Sequence, residues 1–188
     1  KIAERALQTN QHPRFDFLLR RILEEVPAGH IVVLSGRRPC AAEALRARLE
    51  RTLGTKLSKQ VVFLPSQPAR TYYRLLDLAD VVLDSPVFST SLTGFDALSA
   101  GKPIVTIPGE QMAERYALGL YRLMGLGDLI AASATEYVAL AVRLGRESDF
   151  RESICERIRK RCSRLYENRS AVREYEDFFG RVVRQGQA

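Results

Sequence analysis

The sequence predicts an α/β fold in which helices cover both faces of a parallel, twisted sheet. Three observations support this prediction. Short apolar runs of strand length recur along the chain, segments with apolar residues at helical spacing separate them, and turn-forming residues follow the runs. Strands that alternate with helices form parallel βαβ units, whereas an all-β fold or a helical bundle does not explain the alternation.

The first elements are the clearest. In residues 13–26 the apolar positions follow a 3.6-residue spacing, which predicts an amphipathic helix with Pro13 in its first turn. The turn at residues 27–29 ends this helix. Ile31–Leu34 is a continuous apolar run rich in β-branched residues, as expected of a strand that is covered on both faces.

The later elements alternate in the same way. Gly101 is a stop signal for the last helix of the alternating series, and the chain after residue 107 is mainly helical. The predicted bounds are a helix at 40–53, a strand at 61–64, a helix at 69–79, a strand at 80–84, a helix at 93–100 and a strand at 103–107.

Size and composition indicate one ordinary globular domain. The chain has 188 residues, of which 46% are hydrophobic and 27% charged. We predict a single domain over residues 1–188, with a helical C-terminal extension from about residue 150. The sequence starts without an initiator Met, and we interpret it as a fragment or a processed chain. No apolar run is long enough to span a bilayer.

The net charge of +7 suits an anionic ligand. Much of the positive charge lies in the last third of the chain, where arginines interleave with apolar residues at helical spacing. This pattern is typical of a solvated helix face, and we favour that interpretation over nucleic-acid binding.

Cysteine and histidine residues suggest neither a disulfide framework nor a metal site. The three cysteines are scattered, and His12 and His30 form no familiar metal-ligand spacing with them. We therefore expect no metal. Since no export signal is present in the sequence, we expect a reducing, cytoplasmic compartment.

Residues 84–96 form the most informative segment. This segment leaves a predicted buried strand and runs into a helix, whose first backbone N–H groups suit an anion. Ser91 and Thr93 supply hydroxyl donors, Gly94 permits close approach of a phosphate, and Asp96 is placed to accept hydrogen bonds from ribose hydroxyls. Alternatively, Ser91 or Thr93 simply caps the helix, and Asp96 favours its first turn. The residue chemistry leaves both interpretations open.

A pair of tyrosines follows the turn at Gln67. The ring of Tyr72 or Tyr73 could stack on a nucleotide base, as aromatic side chains do with unpaired bases. In the alternative, one tyrosine belongs to the core and the other to the surface. Other phosphate-binding motifs do not fit, because the glycines have neither P-loop nor dinucleotide-fingerprint spacing, and there is no D-x-D pair.

Three runs in the middle of the chain resemble the catalytic region of the O-linked N-acetylglucosamine transferase/SPINDLY family (glycosyltransferase family 41). They read LADVVLDSP at residues 78–86, TGFDAL at 93–98 and AGKPIVTIPG at 100–109. The likeness extends to residues 12–16, 22–27 and 124–130, so it covers the chain from about residue 12 to residue 170. The strand, loop and helix up to residue 109 are typical of the family's bacterial members.

The resemblance implies the C-terminal half of a GT-B glycosyltransferase, in which two Rossmann-like domains face each other across a cleft. It implies a donor-binding domain of a metal-independent, inverting enzyme that transfers N-acetylglucosamine or another hexose from a UDP-sugar to a protein acceptor. The UDP-sugar is then a substrate, and no cofactor is expected. The partners expected from the resemblance are the N-terminal GT-B half and a protein acceptor. Neither that half nor the family's TPR repeats are in this sequence.

The resemblance also implies roles for particular residues. Thr93 and Gly94 match the helix start that binds the donor diphosphate, and Asp96 matches the carboxylate that binds the ribose. Gln67 falls where backbone groups contact the uracil. Ser91 takes the first place of the triplet, usually His-Thr-Thr or Asn-Thr-Ser, that begins the helix.

Several family positions are substituted in this chain. Leu92 replaces a hydroxyl residue of the triplet, Asn10 replaces a lysine that contacts the diphosphate, and Ala69 and Tyr72 replace a lysine and a histidine beside the base. Tyr72 could compensate by stacking on the uracil. The substitutions support a second hypothesis, in which the domain is a catalytically degenerate nucleotide-binding or interaction module. The sequence assigns neither the sugar, the acceptor, the general base nor the oligomeric state.

Overall fold

The computed structural model describes residues 2–4, 12–35 and 39–186. Within these residues the strands form one five-stranded parallel sheet in the order β3-β2-β1-β4-β5. The predicted α/β class is therefore confirmed. The strands are β1 (Ile2–Glu4), β2 (Ile31–Leu34), β3 (Val61–Leu64), β4 (Val81–Leu83) and β5 (Ile104–Val105).

The helices follow the alternation that the sequence predicts. The predicted end of the second helix at residue 53 coincides with a kink, because Gly54 has a non-helical φ of 76° there. Gly101, with φ of 69°, follows the fourth helix as predicted. The helices are α1 (Pro13–Glu25), α2 (Pro39–Ser58), α3 (Ala69–Leu78), α4 (Leu92–Ser99), α5 (Tyr116–Met124), α6 (Ala134–Arg146), α7 (Ser148–Arg161) and α8 (Arg169–Gly186).

The central strand, β1, is absent from the sequence-based prediction. It pairs with β2 on one side and β4 on the other. A three-residue segment at the start of the sequence carries too short a pattern to be recognised as a strand. In chain order, β2 and β3 are added on one side of β1, and β4 and β5 are then added on the other side. The point between β1 and β4 is thus the switch point of the sheet.

The core lies between the sheet and the helices packed on it. Phe15 of α1 meets Tyr137 of α6 edge to face, with ring centroids 6.4 Å apart. Ile154 and Ile158 of α7 are also buried in this core. The predicted extension from about residue 150 therefore begins with a helix that is part of the packed domain.

Helix α8 differs from the other helices because it has no buried residue. Its large apolar side chains recur at helical spacing and form one face, and an apolar helix face of this kind usually packs against another part of a protein. No helix among the described residues is long and apolar enough to cross a membrane. The exposed apolar residues of α8 are Val172, Tyr175, Phe178, Phe179, Val182 and Val183.

A buried tyrosine stabilises the edge strand β5. The hydroxyl of Tyr121 accepts a hydrogen bond from the backbone N–H of Ile104 (2.8 Å) and donates one to the carbonyl of the same residue (2.7 Å). Burial raises the pKa of this hydroxyl, so it stays protonated.

Tyr121→Phe is expected to lower the free energy of unfolding by about 1–3 kcal/mol, because it leaves a buried N–H and a buried carbonyl without their partner. Urea unfolding measures the change. Tyr175→Phe on the exposed face of α8 is the control and should change the free energy little. Equal free energies for both variants would mean that the two bonds to Ile104 contribute nothing.

Candidate functional site

The candidate site lies where β4 ends beside the switch point. The loop after Leu83 leads from the carboxyl end of β4 to the start of α4 at Leu92. In open parallel sheets, ligands bind outside the carboxyl ends of the strands at this point. The segment that the sequence singled out, residues 84–96, occupies this position.

Asp84 begins the loop and is 2% exposed. Its carboxylate accepts hydrogen bonds from the hydroxyls of Ser89 (2.7 Å) and Thr106 (2.6 Å) and from the backbone N–H of Thr90. Burial raises the pKa of Asp84 to about 6, although the three hydrogen bonds act in the opposite direction. The sequence analysis gave this residue no role of its own.

The loop is also joined to the helices behind it. The hydroxyl oxygen of Ser89 accepts a hydrogen bond from the backbone N–H of Ala117 at 2.9 Å. The Tyr137 hydroxyl donates to the backbone carbonyl of Asp84, also at 2.9 Å. The loop is therefore fixed by β5, α5 and α6, which are all distant from it in sequence.

The start of α4 is not sealed by its capping residue. Ser91 occupies the N-cap position, but its side chain makes no capping hydrogen bond. The hydroxyl of Thr93 instead pairs with that of Thr90 at 2.6 Å. The interpretation of Ser91 as a simple side-chain cap is therefore wrong. Both Ser91 and Thr93 are partly exposed.

Gly94 is buried, and its missing side chain does not face an open ligand site. A Cβ atom there would lie 2.8 Å from Leu120 Cδ1 and 2.9 Å from Thr90 Cγ2. Its N–H donates to the carbonyl of Ser91 at 2.9 Å. The close approach of a phosphate to this backbone stays a prediction. The glycine is needed because α4 packs closely on α5.

Asp96 and Tyr73 meet across the site. The Tyr73 hydroxyl donates to Asp96 Oδ1 at 2.8 Å, and this bond to a carboxylate raises the pKa of Tyr73. Tyr73 is 41% exposed. The bond joins α3, which follows the turn at Gln67, to a residue one turn into α4. No pattern in the sequence predicts this pairing beyond the adjacency of two tyrosines.

Tyr72 does not stand where the sequence analysis placed it. It is 7% exposed and belongs to the hydrophobic core, with its ring 5.7 Å from that of Tyr73. The proposed stacking of Tyr72 on a base is wrong, because the helix turns this side chain inward. The alternative, one tyrosine in the core and one at the surface, describes the pair correctly.

Gln67 lies in the turn between β3 and α3, and its side-chain amide donates to the carbonyl of Pro65 at 2.8 Å. This side-chain-to-backbone bond stabilises the turn. Ala69 begins α3 and is exposed. Asn10 lies outside the described residues, so its place relative to the site is not defined.

An open apolar groove of about 740 Å³ lies next to the start of α4. Leu92, the substituted triplet residue, is 78% exposed at its rim. The sequence analysis did not predict this groove, whose walls come from α4, α5 and the turn at Met112–Glu114. Its apolar lining includes Leu92, Phe95, Met112, Leu120 and Leu123.

Among the described residues, no group of three or more His, Cys, Asp or Glu side chains is arranged to hold a metal ion. The polar groups around the start of α4 include the hydroxyls of Thr90 and Thr93 and the carboxylate of Asp96.

Comparison with known proteins gives the site a family context. The profile described as "Glycosyl transferase family 41" matches residues 13–175. The UDP-N-acetylglucosamine–peptide N-acetylglucosaminyltransferase of Caenorhabditis elegans is 30% identical over 86% of this chain and 14% of its own length. The probable enzyme SPINDLY of Arabidopsis thaliana is 32% identical over 68% of this chain and 14% of its own.

Solved structures agree with these relatives. A mutant of the Thermobaculum terrenum O-GlcNAc transferase has a TM-score of 0.85 at 26% identity, and covers 100% of this chain with 37% of its own. TarM, at 11% identity and a TM-score of 0.71, shares the fold. The chain spans about one seventh of the length of the two curated relatives. With a family profile matched over residues 13–175 and this fold, the chain belongs to glycosyltransferase family 41.

Proposed function

We propose that this chain is the donor-binding domain of a glycosyltransferase, with α4 as the helix that binds the donor diphosphate. The observation that carries the proposal is the start of α4. It lies at the switch point, its Ser91 side chain makes no cap, and Thr93 and Asp96 flank it. A helix start of this kind attracts a diphosphate through its N–H groups and dipole.

The same features suit the departure of a nucleoside diphosphate. Charge develops on the diphosphate as the sugar leaves, and fixed N–H and hydroxyl donors stabilise it without reorganising. In the proposed mechanism Thr93 and the first-turn amides of α4 have this role. We propose that neither a metal nor a cofactor takes part, and that the sugar is transferred with inversion.

The choice of donor and acceptor comes from the relatives. Those from Caenorhabditis elegans and Arabidopsis thaliana are named for transfer from UDP-N-acetylglucosamine to peptide. We propose a UDP-sugar donor, with N-acetylglucosamine or another hexose, and a protein acceptor. The carboxylate of Asp96, held by Tyr73, binds the ribose in this proposal. The turn at Gln67 contributes backbone groups to the uracil.

A second half of the enzyme completes the proposed cleft. The part of the Thermobaculum terrenum structure that matches this chain is 37% of that protein's chain. We propose that an N-terminal GT-B domain faces the carboxyl edge of this sheet. The apolar face of α8, which has no buried residue, packs against that domain.

The second candidate function is a nucleotide-binding module without turnover. The exposed Leu92 favours it, because a leucine contributes no side-chain donor at the start of α4. Loss of one preorganised donor commonly lowers the rate by about 10²–10³. Binding with normal affinity but without transfer is the behaviour expected of such a module.

Calorimetric titration with UDP, UDP-N-acetylglucosamine and GDP tests the proposal. We expect UDP and UDP-N-acetylglucosamine to bind, and GDP to bind more weakly. A failure of all three to bind at millimolar concentration would defeat the donor-binding proposal. If UDP-N-acetylglucosamine binds, but a form of the protein that includes the proposed N-terminal GT-B domain releases no UDP from it with a peptide acceptor, the second candidate is correct.

A further inference from the structure

The carboxylate of Asp84 accepts three hydrogen bonds. Oδ2 accepts from the hydroxyls of Ser89 and Thr106, and Oδ1 accepts from the N–H of Thr90. These partners come from the loop itself and from the residue that follows β5. An ionised carboxylate, which has acceptor sites and no proton to donate, matches all three donors at once.

The bond to Thr90 reaches the start of α4 through one further contact. The Thr90 hydroxyl lies 2.6 Å from the hydroxyl of Thr93, which is in the first turn of that helix. The methyl group of Thr90 also borders the space at Gly94. The position of Thr90 therefore affects both the orientation of the Thr93 hydroxyl and the packing of the first helical turn.

We infer that Asp84 is a positioning residue for the donor: it holds Thr90, and thereby sets Thr93 and the first turn of α4 in place for the diphosphate. This inference rests on the proposed donor-binding function and adds a residue that does not touch the ligand. Protonation removes the negative charge of the carboxylate. The hydroxyls of Ser89 and Thr106 can rotate and accept instead, but the backbone N–H of Thr90 can only donate, so its charge-assisted bond to the carboxylate would weaken.

The inference makes affinity depend on the ionisation of Asp84. Burial raises the pKa of Asp84 from its ordinary value of 3.8 to about 6. Neutral hydroxyls face Asp84 from the helices behind it: that of Tyr137 on α6 is bonded to its backbone carbonyl, and that of Tyr121 on α5 interacts with its charge. In the described part of the chain, the influences on this pKa are burial and the three hydrogen bonds.

The contribution of Asp84 to the stability of the fold and the affinity for the donor should change in opposite directions with pH. Since the folded-state pKa is raised, Asp84 contributes most to stability below its ordinary pKa of 3.8, and this contribution is lost as pH rises through about 6. The carboxylate that positions Thr90 forms over the same interval. If Asp84 acted only on the stability of the fold, donor affinity would not increase with rising pH while the contribution of Asp84 to stability decreases.

The test measures binding of UDP-N-acetylglucosamine between pH 5 and pH 7.5. This ligand lacks the terminal phosphate monoester of UDP, whose pKa of about 6 would obscure the result. For a pKa of about 6, only about one tenth of Asp84 is ionised at pH 5. Since the neutral acid is expected to bind about tenfold more weakly, as for Asp84→Asn, the wild-type dissociation constant should rise about fivefold there. Asp84→Asn should bind about tenfold more weakly at pH 7.5, the loss of about one hydrogen bond, and show no step near pH 6.

Asp16→Asn is the matched control, because Asp16 is equally buried but bonds to Arg48 of α2. It should lower the unfolding midpoint and keep both the affinity and its pH step. Asp84→Asn removes a buried charge but also removes one of the two acceptor oxygens, so its unfolding midpoint at pH 7.5 is measured to show that the variant is folded when its affinity is compared.

Thr90→Val and Thr90→Ser test the second contact. The valine variant should bind more weakly, whereas serine keeps the hydroxyl and should restore the affinity. These variants and the wild-type pH profile do not require Asp84→Asn to fold. Wild-type affinity for Asp84→Asn, a pH step that survives this substitution, or a wild-type profile without a step would overturn the inference alone. Absence of wild-type binding at every pH would overturn the proposed function as well.

Discussion

Asp96→Ala is expected to weaken UDP binding by about 1.5–3 kcal/mol, which is roughly 10- to 150-fold in affinity. The carboxylate lies one turn into α4, and Tyr73 holds Oδ1 at 2.8 Å. In the proposed complex it accepts hydrogen bonds from ribose hydroxyls. A bond to a charged group is stronger than a bond between neutral groups, which is why this effect should be among the largest.

A second ligand shows whether Asp96 acts through the ribose. The wild-type protein should bind 2′-deoxy-UDP more weakly than UDP, whereas Asp96→Ala should bind the two with more similar affinity, because the shared contact is already lost. Asp77→Ala removes an exposed carboxylate from α3 with the same change in net charge and should leave the affinity unchanged. Unchanged UDP affinity in Asp96→Ala would remove this residue from the site.

Gly94→Ala is expected to lower the free energy of unfolding by about 1–3 kcal/mol, the usual range for overpacking. The added methyl group would lie 2.8 Å from Leu120 Cδ1 and 2.9 Å from Thr90 Cγ2. The Leu120 side chain is buried and Thr90 is held by Asp84, so displacing either one disturbs existing contacts. Displacement of Thr90 should also weaken UDP binding, since its hydroxyl pairs with that of Thr93.

Gly145→Ala in α6 is the control for Gly94→Ala. No atom lies within 4 Å of the Cβ that this substitution adds. Because alanine loses less conformational freedom than glycine when a helix forms, Gly145→Ala should stabilise the protein by about 0.5–1 kcal/mol. Urea unfolding gives both values. If Gly94→Ala also stabilised the protein, the close packing of α4 on α5 would not restrict this position.

The exposed face of α8 and the groove beside α4 lie outside the packed core. Both are apolar, and the face of α8 is the surface that we propose packs against an N-terminal domain. Their exposure in this chain is consistent with a domain that spans only 14% of its curated relatives.

The sequence by itself determined the fold class and the location of the candidate site. Local patterns carry this information: apolar runs of strand length, helical spacing between them, and a polar segment at residues 84–96 that leaves a strand and enters a helix. The predicted bounds of those elements differ from the structure by only a few residues in most cases. The family resemblance depended on the same local segments.

Only the tertiary structure decided which side chains meet at the site. Helical spacing did not show which of Tyr72 and Tyr73 faces inward, because that depends on how α3 packs on the sheet. The contacts of Asp84 with Thr106 and of Gly94 with Leu120 join residues that are 22 and 26 positions apart. Strand β1 was hidden for a similar reason: three residues carry no periodicity, and only pairing with β2 and β4 makes them the centre of the sheet.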